Sequence, residues 1–130
     1  MSTEQGNKAI VSRWFTEFWG QTCNLDVVDE IAAPDMLLKH SLHEPRNGHT
    51  DIKAFMTDFR AAFPDLNFWG TADLIAEGDY VALQARGNSR TKSGGTYNNT
   101  YCQVFRIANG KVQEATEYLD TELVTTAFGK

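Results

Sequence analysis

The sequence predicts an α+β fold in which three N-terminal helices pack on one face of a curved antiparallel or mixed sheet. Hydrophobic residues recur at spacings of three and four in the first half of the chain, which is typical of amphipathic helices. In the second half they alternate with polar residues, and short turn motifs separate the alternating segments. Helices followed by a run of strands indicate an α+β architecture.

Length and charge restrict the class of protein. The chain has 130 residues, which suits a single domain over residues 1–130. Its net charge is −5, whereas nucleic-acid modules usually present a basic face. The polar start and the absence of a long apolar run predict no signal peptide and no membrane span. Cys23 and Cys102 favour reduced thiols in a cytoplasmic protein, with a single disulfide as the alternative.

The first helix is predicted over residues 3–19. Ser2 and Gln5 form a possible capping box before it, and Gly20 is a natural end. A short second helix follows and ends at Pro34. The first helix carries a broad apolar stripe, formed by Ile10, Trp14, Phe15, Phe18 and Trp19.

A short strand over residues 36–41 and a strongly amphipathic helix over residues 50–63 come next. Thr50 is the predicted cap of this helix, and Pro64 closes it. The polar and apolar positions separate cleanly onto two faces of the helix. The apolar face consists of Ile52, Phe55, Met56, Phe59, Ala62 and Phe63.

Four strands are predicted in the second half, over residues 66–77, 80–91, 96–107 and 111–120. Residues 121–128 form a short tail. The turns between the strands are Gly78-Asp79, Ser93-Gly94-Gly95 and Asn109-Gly110, of which the last is the most specific hairpin signal.

Several segments resemble the SnoaL-like branch of the nuclear-transport-factor-2-like superfamily, which contains polyketide-cyclase-like and ketosteroid-isomerase-related proteins. They are Ala62–Leu66 after the amphipathic helix, Asn109–Val112, Glu117–Thr121, and His40 ahead of Gly48-His49. The resemblance covers nearly the whole chain. It implies a cone-shaped α+β fold of cystatin-like topology, with the sheet wrapped around the helices.

The resemblance implies an isomerase or cyclase type of enzyme that needs no cofactor and no metal. Relatives with this fold also include epoxide hydrolases, dehydratases and proteins without catalysis, so the fold alone does not fix the reaction. Epoxide hydrolases of this fold use an Asp-Arg-Asp set with Arg and Asp two residues apart. Here Asn88 follows Arg86 at that distance, and Ala108 follows Arg106, which argues against epoxide hydrolysis.

The last predicted strand ends in an acid. Tyr118 and Asp120 share one face of it, because side chains alternate along a strand. In the relatives, an acidic residue at the matching end of the strand is the general base. The resemblance therefore implies that Asp120 takes a proton from a carbon next to a carbonyl. The alternative is a solvated Asp120 that caps the tail.

His40 is the second catalytic candidate. It shares a strand face with Met36 and Leu38, so that a neutral imidazole could act as an acid or donate to an enolate. The alternative is a core histidine bonded to a backbone carbonyl. His40, His43 and His49 lie in a loop-rich stretch without the spacing of a metal site, so no metal is predicted.

Two groups of residues are candidates for substrate binding. The polar group consists of Asn99, Tyr101, Gln103 and Tyr118, whose phenols or amides could donate to a substrate oxygen. The alternative for Tyr101 is simple packing with its hydroxyl at the rim. The aromatic group consists of Trp14, Phe18, Phe55, Phe59, Phe63 and Trp69, for which core packing is the alternative to lining a pocket.

Two functions follow from this reading. The first is a cofactor-free enzyme acting on a small hydrophobic or aromatic carbonyl compound, with Asp120 as base and His40 or a tyrosine as the group that stabilises the enolate. The second is a non-catalytic ligand-binding or dimerisation module. In both cases we expect a homodimer, because the outer face of the sheet needs cover. That face is expected to carry Tyr80, Ala82, Gln84 and Arg86, which alternate with Val81, Leu83 and Ala85.

Overall fold

The computed structural model describes residues 3–20, 23–91 and 94–128, which form an α+β domain as predicted. These residues contain four helices and seven strands. In chain order they are α1 (Thr3–Glu17), α2 (Asp26–Ile31), β1 (Ala32–His40), β2 (His43–Asn47), α3 (His49–Ala62), β3 (Asn67–Gly70), β4 (Ile75–Glu77), β5 (Tyr80–Arg90), β6 (Thr96–Ala108), β7 (Lys111–Leu119) and α4 (Thr121–Phe128).

The strands form one mixed sheet in the order β2-β1-β7-β6-β5-β3, with β4 also paired to β5. Strands β1 and β7 run parallel, and the other pairs are antiparallel. Helix α1 packs against β4, β5 and β7, whereas α3 packs against β1 and β2. These helices therefore pack against one face of the sheet, the inner face, and the opposite face is the outer face. Within the described ranges, no helix has the length and apolar character needed to cross a membrane.

The helices differ from the prediction mainly at their ends. Helix α1 stops two residues earlier than expected, and the proposed capping residue Ser2 lies outside the described residues. The prediction that Thr50 caps α3 is wrong, because the helix already begins at His49. The residue before it, Gly48, has a φ of 88° and no side chain to act as a cap. The predicted tail forms α4.

The strands differ from the prediction at three places. Strand β1 begins earlier than residue 36, and the predicted strand over residues 66–77 is two short strands, β3 and β4. The edge strand β2 was not predicted. It is mostly exposed and contains Pro45, a residue that sheets accept at their edges, so its sequence has no apolar alternation to reveal it.

A bulge in β7 decides which of its side chains face the helices. The register with β6 shifts between Val112 and Glu114, so that Gln113 is an extra residue without a partner of its own. An extra residue reverses the alternation beyond it. Val112 is buried before the bulge and Glu117 is buried after it. Without the bulge, the alternation from Val112 would have turned Tyr118 inward instead.

Strands β5 and β6 follow the predicted alternation. Val81, Leu83 and Ala85 are buried, and the residues between them point to the outer face. On β6 the inward side carries Tyr97, Asn99, Tyr101, Gln103, Phe105 and Ile107, all of which are buried. Two side chains from the polar end of this row, Tyr97 and Tyr101, line the cavity described below.

Gly87 in β5 is expected to be intolerant of a side chain. A Cβ added there would lie 2.9 Å from Cδ1 of Phe68 and 3.0 Å from Cε1 of Tyr101. We predict that Gly87→Ala lowers the free energy of unfolding by roughly 1–3 kcal/mol, because it overpacks two aromatic rings. Urea unfolding followed by circular dichroism measures this loss.

Gly70→Ala is the matched control, since it also lies in a strand and its added Cβ meets nothing closer than the Gln84 carbonyl oxygen at 3.9 Å. This variant is expected to change stability by no more than about 0.5 kcal/mol. Equal losses in the two variants would contradict the packing argument.

Candidate functional site

A cavity of about 110 Å³ lies between the inner face of the sheet and the helices. Its apolar wall includes Trp19, Phe59, Phe63, Phe68, Leu119 and Phe128. Its polar groups are His40, His43, Tyr97, Tyr101 and Glu117. An engineered apolar cavity of about 150 Å³ takes up benzene, so this volume suits a single ring. Mostly apolar walls with a few polar groups are typical of ligand pockets.

Glu117 and His40 form a buried pair in this cavity. The parallel register of β1 and β7 places the two residues side by side. Nε2 of His40 lies 3.1 Å from Oε1 of Glu117, whose side chain is only 4% exposed. The backbone N–H of Leu42 donates to Nδ1 of His40 at 3.0 Å. Because Nδ1 accepts that bond, the ring proton is on Nε2, and neutral His40 donates to the Glu117 carboxylate.

Gln103 holds the other oxygen of the same carboxylate. Its Nε2 donates to Oε2 of Glu117 at 3.3 Å. Gln103 also borders a smaller recess that shares His40, His43 and Glu117 with the cavity and includes Arg46. The Oε1 atom of Gln103 is buried and has no hydrogen-bond partner among the described residues. Each oxygen of Glu117 thus receives one donor, from two different strands.

Two buried tyrosines supply hydroxyl groups to the cavity. The Tyr97 and Tyr101 hydroxyl oxygens are 2.6 Å apart, and Nδ2 of Asn99 donates to the Tyr97 oxygen at 2.8 Å. Burial raises the pKa of both phenols, so both keep their protons at neutral pH. The two phenols use one hydrogen in the bond between them. The other hydrogen is left to donate to a ligand oxygen.

His43 is a further polar residue at the cavity. Its ring stacks on that of His40 with centroids 4.4 Å apart. Partial burial, together with the nearby His40, lowers the pKa of His43, so the ring is neutral at pH 7. His49 lies elsewhere, with Nε2 3.0 Å from the Ala32 carbonyl oxygen. Among residues 3–20, 23–91 and 94–128, no group of three or more His, Cys, Asp or Glu side chains could hold a metal ion.

Asp120 and Tyr118 lie outside the cavity. The Asp120 side chain is at the start of α4, where Oδ1 accepts the backbone N–H groups of Glu122 at 3.0 Å and Leu123 at 3.3 Å. This is the capping position that the sequence analysis gave as the alternative. Tyr118 is 54% exposed on the outer face of the sheet. The bulge at Gln113 is the physical reason for both orientations, since it turns the opposite set of β7 side chains inward.

The predicted aromatic residues divide between the cavity, the core and the outer face. Those that line the cavity or its recess are Phe55, Phe59 and Phe63. Trp14 and Phe18 are fully buried and stack with ring centroids 4.3 Å apart, so they belong to the core. Trp69 is exposed opposite Arg86 on the outer face, and its neighbour Phe68 lines the cavity instead.

Sequence reasoning missed Glu117 as a site residue. A signal was present in the composition of the two faces of β7. One face carries Glu114, Thr116, Tyr118 and Asp120, and is polar throughout. The other carries Ala115, Glu117 and Leu119, and is the more apolar one. The more apolar face of a half-buried strand is expected to point inward, and its single acid is then the unusual residue.

Comparisons with known proteins agree with this architecture. The family model of the SnoaL-like polyketide cyclases matches residues 9–125. A structure from Jannaschia sp. CCS1, assigned to the SnoaL-like polyketide cyclases, is 27% identical, with 99% of this chain and 96% of that chain covered and a TM-score of 0.89. No curated protein matches the chain.

Two more distant structures share the fold. TerC, co-crystallised with polyporic acid, is 16% identical, with 96% of this chain and 99% of that chain covered and a TM-score of 0.83. A nuclear-transport-factor-2-like protein from Burkholderia xenovorans LB400 is 20% identical, with 96% and 97% covered and a TM-score of 0.78. The expected fold of that superfamily is thereby confirmed.

Removing the His40 donor is expected to destabilise the protein. We predict that His40→Phe costs about 1.5–3 kcal/mol of unfolding free energy at pH 8, the usual contribution of a hydrogen bond to a charged group. The variant leaves the buried carboxylate of Glu117 with one donor fewer. Urea unfolding at pH 8 measures the loss.

The same substitution in a Glu117→Gln background is the control. There the residue beside position 40 carries no charge, and His40→Phe is expected to cost only about 0.5–1.5 kcal/mol. Equal costs in the two backgrounds would show that the pair is not a charge-stabilising contact.

Proposed function

The chain belongs to the SnoaL-like polyketide cyclase family, and we propose that it is a cofactor-free enzyme that moves a proton on a hydrophobic carbonyl compound. The observation that carries the proposal is the buried carboxylate of Glu117, which faces an aromatic cavity and accepts one hydrogen bond on each oxygen. Glu117 lines the cavity, whereas the Asp120 side chain lies outside it and caps α4. This favours Glu117 over Asp120 as the general base.

In the proposed reaction, Glu117 takes a proton from a carbon next to the substrate carbonyl. The electron pair of the broken C–H bond forms an enolate, and negative charge develops on the carbonyl oxygen. The free hydroxyl hydrogen of the Tyr97–Tyr101 pair donates to that oxygen. Glu117, now neutral, returns the proton in one of two ways. In isomerisation, the enolate is conjugated with a C=C bond and takes the proton on its far carbon. In cyclisation, the enolate carbon attacks a second carbonyl, and the alkoxide that forms takes the proton.

The cavity walls support an apolar ring as the body of the substrate. Phe59, Phe63 and Phe68 offer faces and edges to such a ring, and Phe128 on α4 covers it from the C-terminal side. The co-crystallisation of TerC with polyporic acid supports a small organic ligand for this fold. The neutral His43 at the cavity provides one donor and one acceptor for a polar substituent.

Exchange of a carbon-bound hydrogen with solvent tests the base directly. We predict that the protein catalyses deuterium uptake from D₂O next to the carbonyl of phenylacetone, a single-ring ketone, measured by mass spectrometry. Glu117→Gln is expected to lower the rate roughly 100-fold or more, the usual contribution of a positioned base, whereas Asp120→Asn leaves it within about twofold. Asp120→Asn is the matched control, because both variants convert a β7-end acid into its amide.

The opposite ranking of the two variants would assign the base to Asp120. Binding of phenylacetone without any exchange in the unaltered protein would favour the second function, a module that binds an apolar ligand and releases it unchanged.

We further propose that the protein is a homodimer through the outer face of the sheet. Three aromatic side chains lie exposed on this face, namely Trp69, Tyr80 and Tyr118. Aromatic residues exposed on one surface are typical of interfaces. Residues between them, such as Gln84 and Arg86, provide polar contacts. The expected partner is a second copy of the same chain.

Light scattering is expected to give twice the 14.6 kDa mass of the chain at micromolar concentration. Tyr80→Asp places a charge in the proposed interface and is expected to give the monomer mass. Leu123→Asp is the control, because Leu123 is exposed on α4 and not on a strand of this face. A monomer in the unaltered protein would exclude the dimer.

The cysteines support a cytoplasmic location. Cys23 and Cys102 are both free thiols in the structure. Burial raises the pKa of the Cys23 thiol, which makes it less reactive. Unpaired thiols persist in a reducing compartment, so we propose the cytoplasm.

A further inference from the structure

We propose that Gln103 is a positioning residue that changes from hydrogen-bond donor to hydrogen-bond acceptor when Glu117 becomes protonated. The inference rests on the proposed role of Glu117 as the base. It concerns the second half of the catalytic cycle, in which the carboxylic acid must hold its proton until it is returned.

The first step in the argument is that His40 cannot accept this proton. Its Nδ1 already accepts the backbone N–H of Leu42 at 3.0 Å, and its Nε2 carries the hydrogen that points to Oε1 of Glu117. His40 is therefore a donor in both states of the acid. When Glu117 is protonated, Oε1 keeps this bond as the carbonyl oxygen, and the new O–H group is on Oε2.

The second step is that Gln103 is the polar side chain bonded to Oε2. In the present arrangement its Nε2 donates to Oε2 at 3.3 Å, which suits an ionised carboxylate. A protonated Oε2 would set an O–H group against an N–H group. That arrangement sets two buried donors against each other and leaves the O–H group without an acceptor, which is costly inside a protein.

The third step is that the missing acceptor is already present. Oε1 of Gln103 is buried and unpartnered among the described residues, and the whole residue is only 4% exposed. A half-turn of the side-chain amide exchanges Oε1 and Nε2, which have nearly the same size and shape. After that turn, the O–H group of Glu117 donates to Oε1 of Gln103. Gln103 thus serves both protonation states, whereas His40 favours the ionised state.

The pH profile of phenylacetone exchange distinguishes a two-state partner from a simple donor. Gln103→Met keeps the length of the side chain and removes both hydrogen-bonding groups. If Gln103 serves both states, the rate falls about tenfold at every pH, and the pH of half-maximal rate moves by less than about 0.3. If Gln103 only donates to the carboxylate, the acid limb moves to higher pH by about one unit, which overturns the proposal.

His40→Phe is the reference variant for a shift of the acid limb. It removes a group that donates to Glu117 in both protonation states and stabilises the ionised state more. It is expected to move the acid limb to higher pH. A bound water that occupied Oε1 of Gln103 permanently would make Gln103 a simple donor as well, so Gln103→Met would then behave like His40→Phe and contradict the proposal.

Urea unfolding gives a readout that does not need the reaction. Gln103→Met is expected to lower the urea midpoint by the same amount from pH 8 to pH 4, whereas a simple donor would cost more at pH 8. Gln103→Leu is the second variant if Gln103→Met does not fold. If the unaltered protein exchanges no deuterium, the proposed function fails, and the unfolding series still decides whether Gln103 serves both states of Glu117.

Discussion

The burial of one carboxylate is the constraint on which the site depends. An ionised acid that loses its water must receive hydrogen bonds in exchange, or it takes up a proton instead. Glu117 obtains them from His40 on β1 and Gln103 on β6, the two strands that flank β7. The order and register of the sheet thus fix the electrostatics of the cavity. A shift of either neighbouring strand would leave the charge without one of its donors.

Local patterns predicted most of the fold. The alternation along β6 predicted that Asn99, Tyr101 and Gln103 share one face, and all three are buried on the inner face. The alternation in β1 predicted that His40 shares a face with Met36 and Leu38, which the structure also has. Helix α3 was equally clear, because its apolar residues follow a single face. These predictions succeed because period two and period 3.6 are properties of neighbouring residues.

The parts that the sequence did not reveal depend on contacts between distant residues. The bulge at Gln113 is visible only in the register of β7 against β6, and one extra residue exchanges the faces that Glu117 and Asp120 occupy. The tautomer of His40 depends on a hydrogen bond from Leu42, and the role of His43 depends on the unpredicted strand β2. Residue identity alone carries none of this information, so the sequence pointed to Asp120, which caps α4, and not to Glu117, which lines the cavity.

The parallel pairing of β1 with β7 has a consequence for how the molecule acquires its site. These strands come from opposite ends of the chain, whereas the hairpins β5–β6 and β6–β7 join sequence neighbours. A pairing that closes a long loop restricts the chain, and this loss of conformational entropy comes before the stabilising contacts form. Such pairings therefore form slowly. We therefore expect His40 and Glu117 to meet after the pairings between sequence neighbours have formed. Until the parallel pair closes, the acid has no imidazole beside it.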